Sequence, residues 1–141
     1  MFELPRFVRY AMKFERAFKT DDWTEVRGCF ADDAVYTIAG SGTRFDGDYV
    51  GPAAIAGVFK QMLDAVDRKY DSRVPRLAGF PRKKSGELTI PWKATYRKGT
   101  DRVVLTGVSA CRFDGKRIKT LRDTMVPEEC ARWASVVGAS P

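Results

Sequence analysis

The chain has 141 residues, 44% hydrophobic, 30% charged and 12% aromatic, which is the composition of one folded domain and excludes disorder, collagen and coiled coil. Lys and Arg number 25 against 18 Asp and Glu, a net charge of +7. Histidine is absent, which removes Ser-His-Asp triads, Cys-His dyads, His-bound metals and a histidine general base.

Residues 5–20 read as an amphipathic helix. Phe7, Tyr10, Ala11, Phe14, Ala17 and Phe18 recur at spacings of three and four, which gives one apolar face, and Pro5 suits the first turn. Asp22 followed by Glu25 has capping-box spacing, with Trp23, Val26 and Phe30 on one face of a short second helix. Asp32 and Asp33 then read as turn-forming side chains between helix and strand. Ala34-Val35-Tyr36-Thr37-Ile38 is β-branched and aromatic and predicts a strand ended by Gly40-Ser41-Gly42. Thr43-Arg44-Phe45 predicts a short return strand closed by Asp46-Gly47. Gly51-Pro52 opens a third helix with the stripe Ile55, Val58, Phe59, Met62, Leu63 and Val66.

Residues 71–80 predict a strand that Pro75 confines to an edge or a bulge. Lys83-Lys84-Ser85-Gly86 predicts a hairpin turn. Leu88, Ile90, Trp92, Ala94 and Tyr96 alternate with Thr89, Pro91, Lys93, Thr95 and Arg97, a strand with one apolar face. Strands over 102–113 and 117–126 follow, separated by Asp114-Gly115-Lys116, and Pro127-Glu128-Glu129 starts a closing helix. Helices first and an antiparallel meander after predict a single α+β domain over 1–141, core about 5–126 and helical tail 127–141, with helices on one face of a curved sheet.

No apolar run approaches the ~20 residues of a membrane span, so no membrane association is expected. The start lacks a charged segment followed by an apolar stretch, so no signal peptide is expected. Cys29, Cys111 and Cys130, odd in number and without CxxC spacing, read as reduced thiols of a cytoplasmic protein. The cations Arg68-Lys69, Arg73, Arg76, Arg82-Lys83-Lys84, Arg97-Lys98 and Lys116-Arg117 read as dispersed over loop tips and strand ends. With no RNA-recognition motif, zinc finger or basic helix, they predict no nucleic-acid partner.

Residues 22–36, Asp22-Trp23-Thr24-Glu25-Val26-Arg27-Gly28-Cys29-Phe30-Ala31-Asp32-Asp33-Ala34-Val35-Tyr36, resemble a signature of the nuclear transport factor 2-like superfamily. Asp48-Tyr49-Val50-Gly51-Pro52-Ala53-Ala54-Ile55 and Phe113-Asp114-Gly115-Lys116-Arg117-Ile118, with Leu121-Arg122-Asp123, match further pieces in order. Within that superfamily the chain is most similar to the SnoaL-like polyketide cyclase group. The resemblance implies a cone-shaped cystatin-like roll, a hydrophobic pocket at the mouth of the cone, no cofactor, and a homodimer through the sheet face assigned to Val103, Val104, Leu105 and Val108.

The likeness also sorts the chemistry. Against ketosteroid isomerases, Ile38 falls at the base position, Phe14 at the tyrosine and Ser109 near the second acid, so that mechanism is absent. Against epoxide hydrolases of the limonene type, Asp123 and Tyr36 resemble a carboxylate and the tyrosine. Ile38 replaces an asparagine there, and Ile90-Pro91-Trp92-Lys93-Ala94-Thr95 lacks the arginine and the second aspartate. SnoaL-like cyclases use a carboxylate of the last strand, which implies Asp123 as the acid–base residue and Tyr36 as a hydrogen-bond donor. Phe14, Ile38, Phe59, Met62, Trp92, Tyr96 and Ser109 complete the expected lining. The expected activity is a cofactor-independent cyclase, isomerase or hydrolase on a small hydrophobic molecule; the alternative is a ligand-binding or assembly domain without turnover.

Overall fold

The computed structural model describes residues 3–140; Met1, Phe2 and Pro141, the ends of the expected domain, lie outside the described residues. Three helices precede or interrupt the first strands: α1 (Glu3–Thr20), α2 (Thr24–Gly28) and α3 (Pro52–Ala65). The strands are β1 (Phe30–Ala39), β2 (Gly47–Val50), β3 (Ser72–Leu77), β4 (Arg82–Lys84), β5 (Glu87–Lys98), β6 (Asp101–Asp114) and β7 (Arg117–Met125). Helix α4 (Pro127–Val136) follows. The strands form one sheet in the order β2-β1-β7-β6-β5-β3, with β4 also on β5. All pairs are antiparallel except β1 with β7. The result is a cone-shaped α+β fold whose helices fill the concave side of a mostly antiparallel sheet. No described helix is long and apolar enough to cross a membrane.

Register decides which side chains face the helices, because directly paired residues share a face. Leu88 pairs with Cys111, Ile90 with Ser109, Trp92 with Gly107, Ala94 with Leu105 and Tyr96 with Val103. These residues line the concavity. Phe59 of α3 is the hub above them, with ring centroids 4.8 Å from Tyr36, 5.2 Å from Phe14 and 6.1 Å from Trp23. A second cluster gathers Tyr70, Tyr96, Val103, Leu105, Cys130 and Trp133 beneath α4. Val103 and Leu105 are each 3% exposed there, so they do not belong to the outer sheet face. Only Val104 and Val108 of the four expected residues remain on that side, because alternation separates them from their buried neighbours.

A bulge aims the last strand. Phe113 pairs with Ile118 but Arg112 pairs with Thr120, which leaves Lys119 as the extra residue. Strict alternation from buried Ile118 would turn Arg122 inward; the bulge turns Leu121, Asp123 and Met125 inward instead. Opposite it, β1 shifts register between Phe30 and Val35. Asp32 and Asp33 therefore lie within β1, exposed and ion-paired to Arg117 and Lys119 rather than forming a turn before the strand.

Two other elements differ from the sequence reading. Thr43-Arg44-Phe45 is a turn, and the return strand is Gly47–Val50. The Asp46 carboxylate accepts from Ser41 N (3.1 Å), Ser41 Oγ (2.6 Å) and Gly42 N (3.0 Å), which fixes the loop where a strand would have formed. Lys83 and Lys84 belong to β4, and the hairpin loop is Ser85-Gly86 alone. Both loop residues have positive φ (53° and 78°), as the tightest right-twisting hairpin requires. The strand expected over 71–80 ends at Leu77, and Phe80 lies beyond it, 90% exposed.

Candidate active site

Asp123 on β7 is flanked by its register partners Ile38 on β1 and Ser109 on β6. All three therefore look into the concavity, and Tyr36 does so two residues before Ile38. Tyr36 Oη donates to Asp123 Oδ2 at 2.7 Å, and Ser109 Oγ donates to Oδ1 at 2.6 Å. Trp92 Nε1 donates to Ser109 Oγ at 3.1 Å. A hydroxyl has a single hydrogen, so the indole donor orients the serine hydrogen toward the carboxylate. Burial raises the Asp123 carboxyl above its ordinary 3.8, and the bonds from Ser109 and Tyr36 offset part of that rise. Burial first, and then the Asp123 charge, hold the Tyr36 hydroxyl well above its ordinary 10.0, so it remains a donor at neutral pH.

The indole lies where it does because its partner on β6 is a glycine. A Cβ on Gly107 would sit 2.3 Å from Trp92 Cζ2 and 2.8 Å from the Thr124 carbonyl oxygen. Without that atom, the ring crosses β6 and reaches Ser109 two residues along.

A cavity of about 640 Å³ lies between the sheet, α1 and α3, a size typical of small-molecule sites. Asp123, Tyr36, Phe14, Ile38, Phe59, Met62, Trp92, Tyr96 and Ser109 all border it. Ile38 and Phe59 are among its most deeply buried lining residues, 1% and 2% exposed. Every exposed lining residue lies on α1 or β3: Leu4, Val8, Met12, Arg16 and Lys19 on one side, Pro75, Arg76 and Leu77 on the other. The mouth is therefore a slit between these two elements. An ion pair spans the two elements, Glu15 with Arg73 at 2.7 Å, and Glu3 of α1 pairs with Lys83 of β4 at 2.8 Å.

The opposite end of the cavity holds a cluster that the sequence reading missed. Tyr96 Oη donates to Asp67 Oδ2 at 2.8 Å, and Arg73 Nε lies 3.2 Å from the same oxygen. Arg73 Nη1 also donates to both Glu15 oxygens at 2.7 and 2.9 Å. Burial raises the Asp67 carboxyl, and the Arg73 charge offsets part of the rise. Alternation along β3 was the available signal, since it places Arg73 on the face of Pro75 and Leu77. Nothing local marks Asp67, in the 3₁₀ turn Asp67–Lys69 after α3. Trp133, in edge contact with Tyr96 at 5.9 Å, has the one buried side-chain polar atom without a hydrogen-bond partner among the described residues, Nε1.

Burial holds the Cys111 and Cys130 thiols up at about 12 and about 11, which makes them poor nucleophiles at neutral pH. Among the described residues, no group of three His, Cys, Asp or Glu side chains is placed to hold a metal ion. Of the carboxyls that border the cavity, Asp123 is half-buried, held by two hydroxyls and free of any cation among the described residues, and it can take up and return a proton.

The family model of the SnoaL-like domain matches residues 11–121. The chain belongs to the SnoaL-like family. No curated protein matches it in sequence. Among solved structures, this SnoaL-like chain is similar to a candidate isomerase from Rhodopseudomonas palustris, with TM-score 0.73, 16% identity, and coverage of 93% of this chain and 96% of that one. It is similar to a protein of ketosteroid isomerase-like fold from Catenulispora acidiphila, solved in complex with trimethylamine, with TM-score 0.67, 15% identity, and coverage of 94% and 97%. A candidate SnoaL-like polyketide cyclase from Shewanella putrefaciens gives TM-score 0.65, 11% identity, and coverage of 90% and 84%. At these identities the likeness establishes the shared fold.

Proposed function

We propose that this SnoaL-like protein is a cofactor-independent acid–base catalyst, an isomerase or cyclase acting on a small hydrophobic molecule held in the cavity. The observation that carries this reading is the state of Asp123: desolvated, bordering the cavity, bonded by Tyr36 and Ser109, and with no cation among the causes of its shifted pKa. Asp67 is the rival carboxyl, but Arg73 sits 3.2 Å from it and favours its charged form. A base works best when its pKa approaches the working pH, and only Asp123 is raised without an opposing cation.

The supported chemistry is proton transfer next to a carbonyl. Asp123 removes a proton from the carbon beside the carbonyl, the C–H electron pair shifts toward the carbonyl oxygen as an enolate, and the protonated carboxyl returns the proton at a second carbon as that pair flows back. A carboxylate has about four acceptor sites, and Tyr36 and Ser109 occupy two. The test is turnover of a panel of hydrophobic enolisable ketones and keto-esters. Asp123→Asn is expected to lower turnover by about 10²–10⁴-fold while ligand binding persists. Unchanged turnover in that variant removes Asp123 from the mechanism. Wild-type protein that binds the panel and converts none of it is a carrier, not a catalyst.

A further inference from the structure

The charge of this protein is sorted in space. Helix α1 and residues 72–84 together carry ten Lys and Arg, namely Arg6, Arg9, Lys13, Arg16, Lys19, Arg73, Arg76, Arg82, Lys83 and Lys84, against the two acids Glu3 and Glu15. That excess of eight exceeds the net charge of the whole chain, +7. The remaining residues hold fifteen cations and sixteen acids. Four of these cations, Arg16, Lys19, Arg73 and Arg76, border the cavity mouth on α1 and β3, and Arg82, Lys83 and Lys84 follow on β4. Both acids there are already engaged, Glu3 by Lys83 and Glu15 by Arg73. Arg9, Lys19, Arg76, Arg82 and Lys84 are exposed and have no ion pair among the described residues.

The same rim is apolar between its charges. Leu4, Val8 and Met12 form an i, i+4, i+8 stripe on the outer side of α1, 38%, 49% and 56% exposed. Across the slit stands Leu77, 61% exposed, and Phe80 follows it at 90%. Four of the nine exposed large hydrophobics of the described residues, Leu4, Val8, Met12 and Leu77, thus border one opening.

We infer that the mouth docks on an anionic lipid surface, with the α1 stripe, Leu77 and Phe80 entering the headgroup region and the cations resting on lipid charges. A helix with an apolar stripe and basic flanks lies in a bilayer interface without spanning it, and Lys and Arg near an anionic lipid surface are attracted to it. Charge complementarity alone also fits a nucleic acid, but that partner rewards phosphate and base contacts rather than a row of aliphatic side chains. The orientation points the cavity at the bilayer, where a hydrophobic ligand partitions. This docking is separate from the chemistry assigned to Asp123 and is tested without turnover.

The experiment is co-sedimentation of the full chain with vesicles of phosphatidylglycerol and of phosphatidylcholine. Binding is expected to phosphatidylglycerol only, and to fall at least tenfold in about 1 M NaCl, where the screening length is ~3 Å. The variant Val8→Glu/Met12→Glu alters two exposed positions. It is expected to keep the thermal midpoint of the wild type and to lose at least tenfold in vesicle affinity. Phe80→Trp is expected to blue-shift its emission on phosphatidylglycerol vesicles. Three results overturn the inference: no binding to phosphatidylglycerol, equal binding to both lipids, or full binding by the double variant. Retention by an acidic protein or a nucleic-acid duplex without vesicle binding likewise overturns it.

Discussion

Gly107 illustrates how a residue without a side chain sets chemistry two positions away. Trp92 lies across it, donates to Ser109, and so directs the serine hydrogen onto Asp123. Gly107→Ala puts a carbon within 2.3 Å of the indole and 2.8 Å of the Thr124 carbonyl oxygen, and neither fits without movement. The expected cost is about 1–3 kcal/mol, as for other overpacked sites, with a change in tryptophan emission as the ring moves. Trp92→Leu in the same chain should recover part of that cost, since residues in contact couple. Denaturant unfolding of the two single variants and the double variant checks this; strict additivity would show that the indole is not what Gly107 accommodates. Asp123 and Tyr36 were legible in the sequence because each sits within a stretch resembling the family. The Trp92–Ser109 step was not, because the two residues meet through the β5–β6 register and lie 17 positions apart.

At the scale of elements, the helices and long strands followed from periodicity, and the departures have local causes. Asp46 gathers three donors and turns residues 43–45 into a loop, while Lys119 bulges out and reverses the face of β7. Neither signal is periodic, so a periodic reading misses both. The outer stripe Leu4, Val8 and Met12 was overlooked beside the stronger inward stripe of the same helix. The attachment of α1 to β3 is likewise invisible locally, since Glu15 and Arg73 are 58 residues apart. Its two halves differ in consequence. Glu15→Gln removes a partner that is 39% exposed, leaves Arg73 on Asp67, and should cost under about 1 kcal/mol. Arg73→Met strands Asp67, which is 6% exposed, and breaking such a buried pair costs about 3–5 kcal/mol. Hydrogen exchange should show α1 amides opening in Glu15→Gln while β5 and β6 stay protected. Equal protection of α1 in both proteins would mean that this pair does not hold the helix down.

For the whole molecule, buried and surface carboxyls act in opposite directions as pH changes. Asp123 and Asp67 are raised above 3.8 in the folded protein, chiefly by burial. The fold then binds their protons more tightly than the unfolded chain does, so stability falls as pH climbs from 3.8 through the raised values and is level above them. Asp21, held at about 2 by Lys60 first, and Asp22, Asp33 and Asp64, all lowered, act the other way. Their contribution is present above the unfolded value and is lost as pH falls toward the lowered one. These four groups lie at the surface, where salt screens them; the two buried groups are screened far less. Raising the ionic strength therefore leaves the buried pair in control. In high salt, the thermal midpoint of the wild type is expected to rise as pH falls through the raised values of Asp123 and Asp67 toward 3.8. Asp123→Asn cannot ionise, and its amide still offers an oxygen to one hydroxyl while Tyr36 Oη can accept from the other side. The variant should be more stable than the wild type at neutral pH, with the gap closing as Asp123 protonates. Midpoint curves that stay parallel across that range would show that Asp123 is not charged at a cost in the native fold, and the base assigned to the cavity would lose its physical ground.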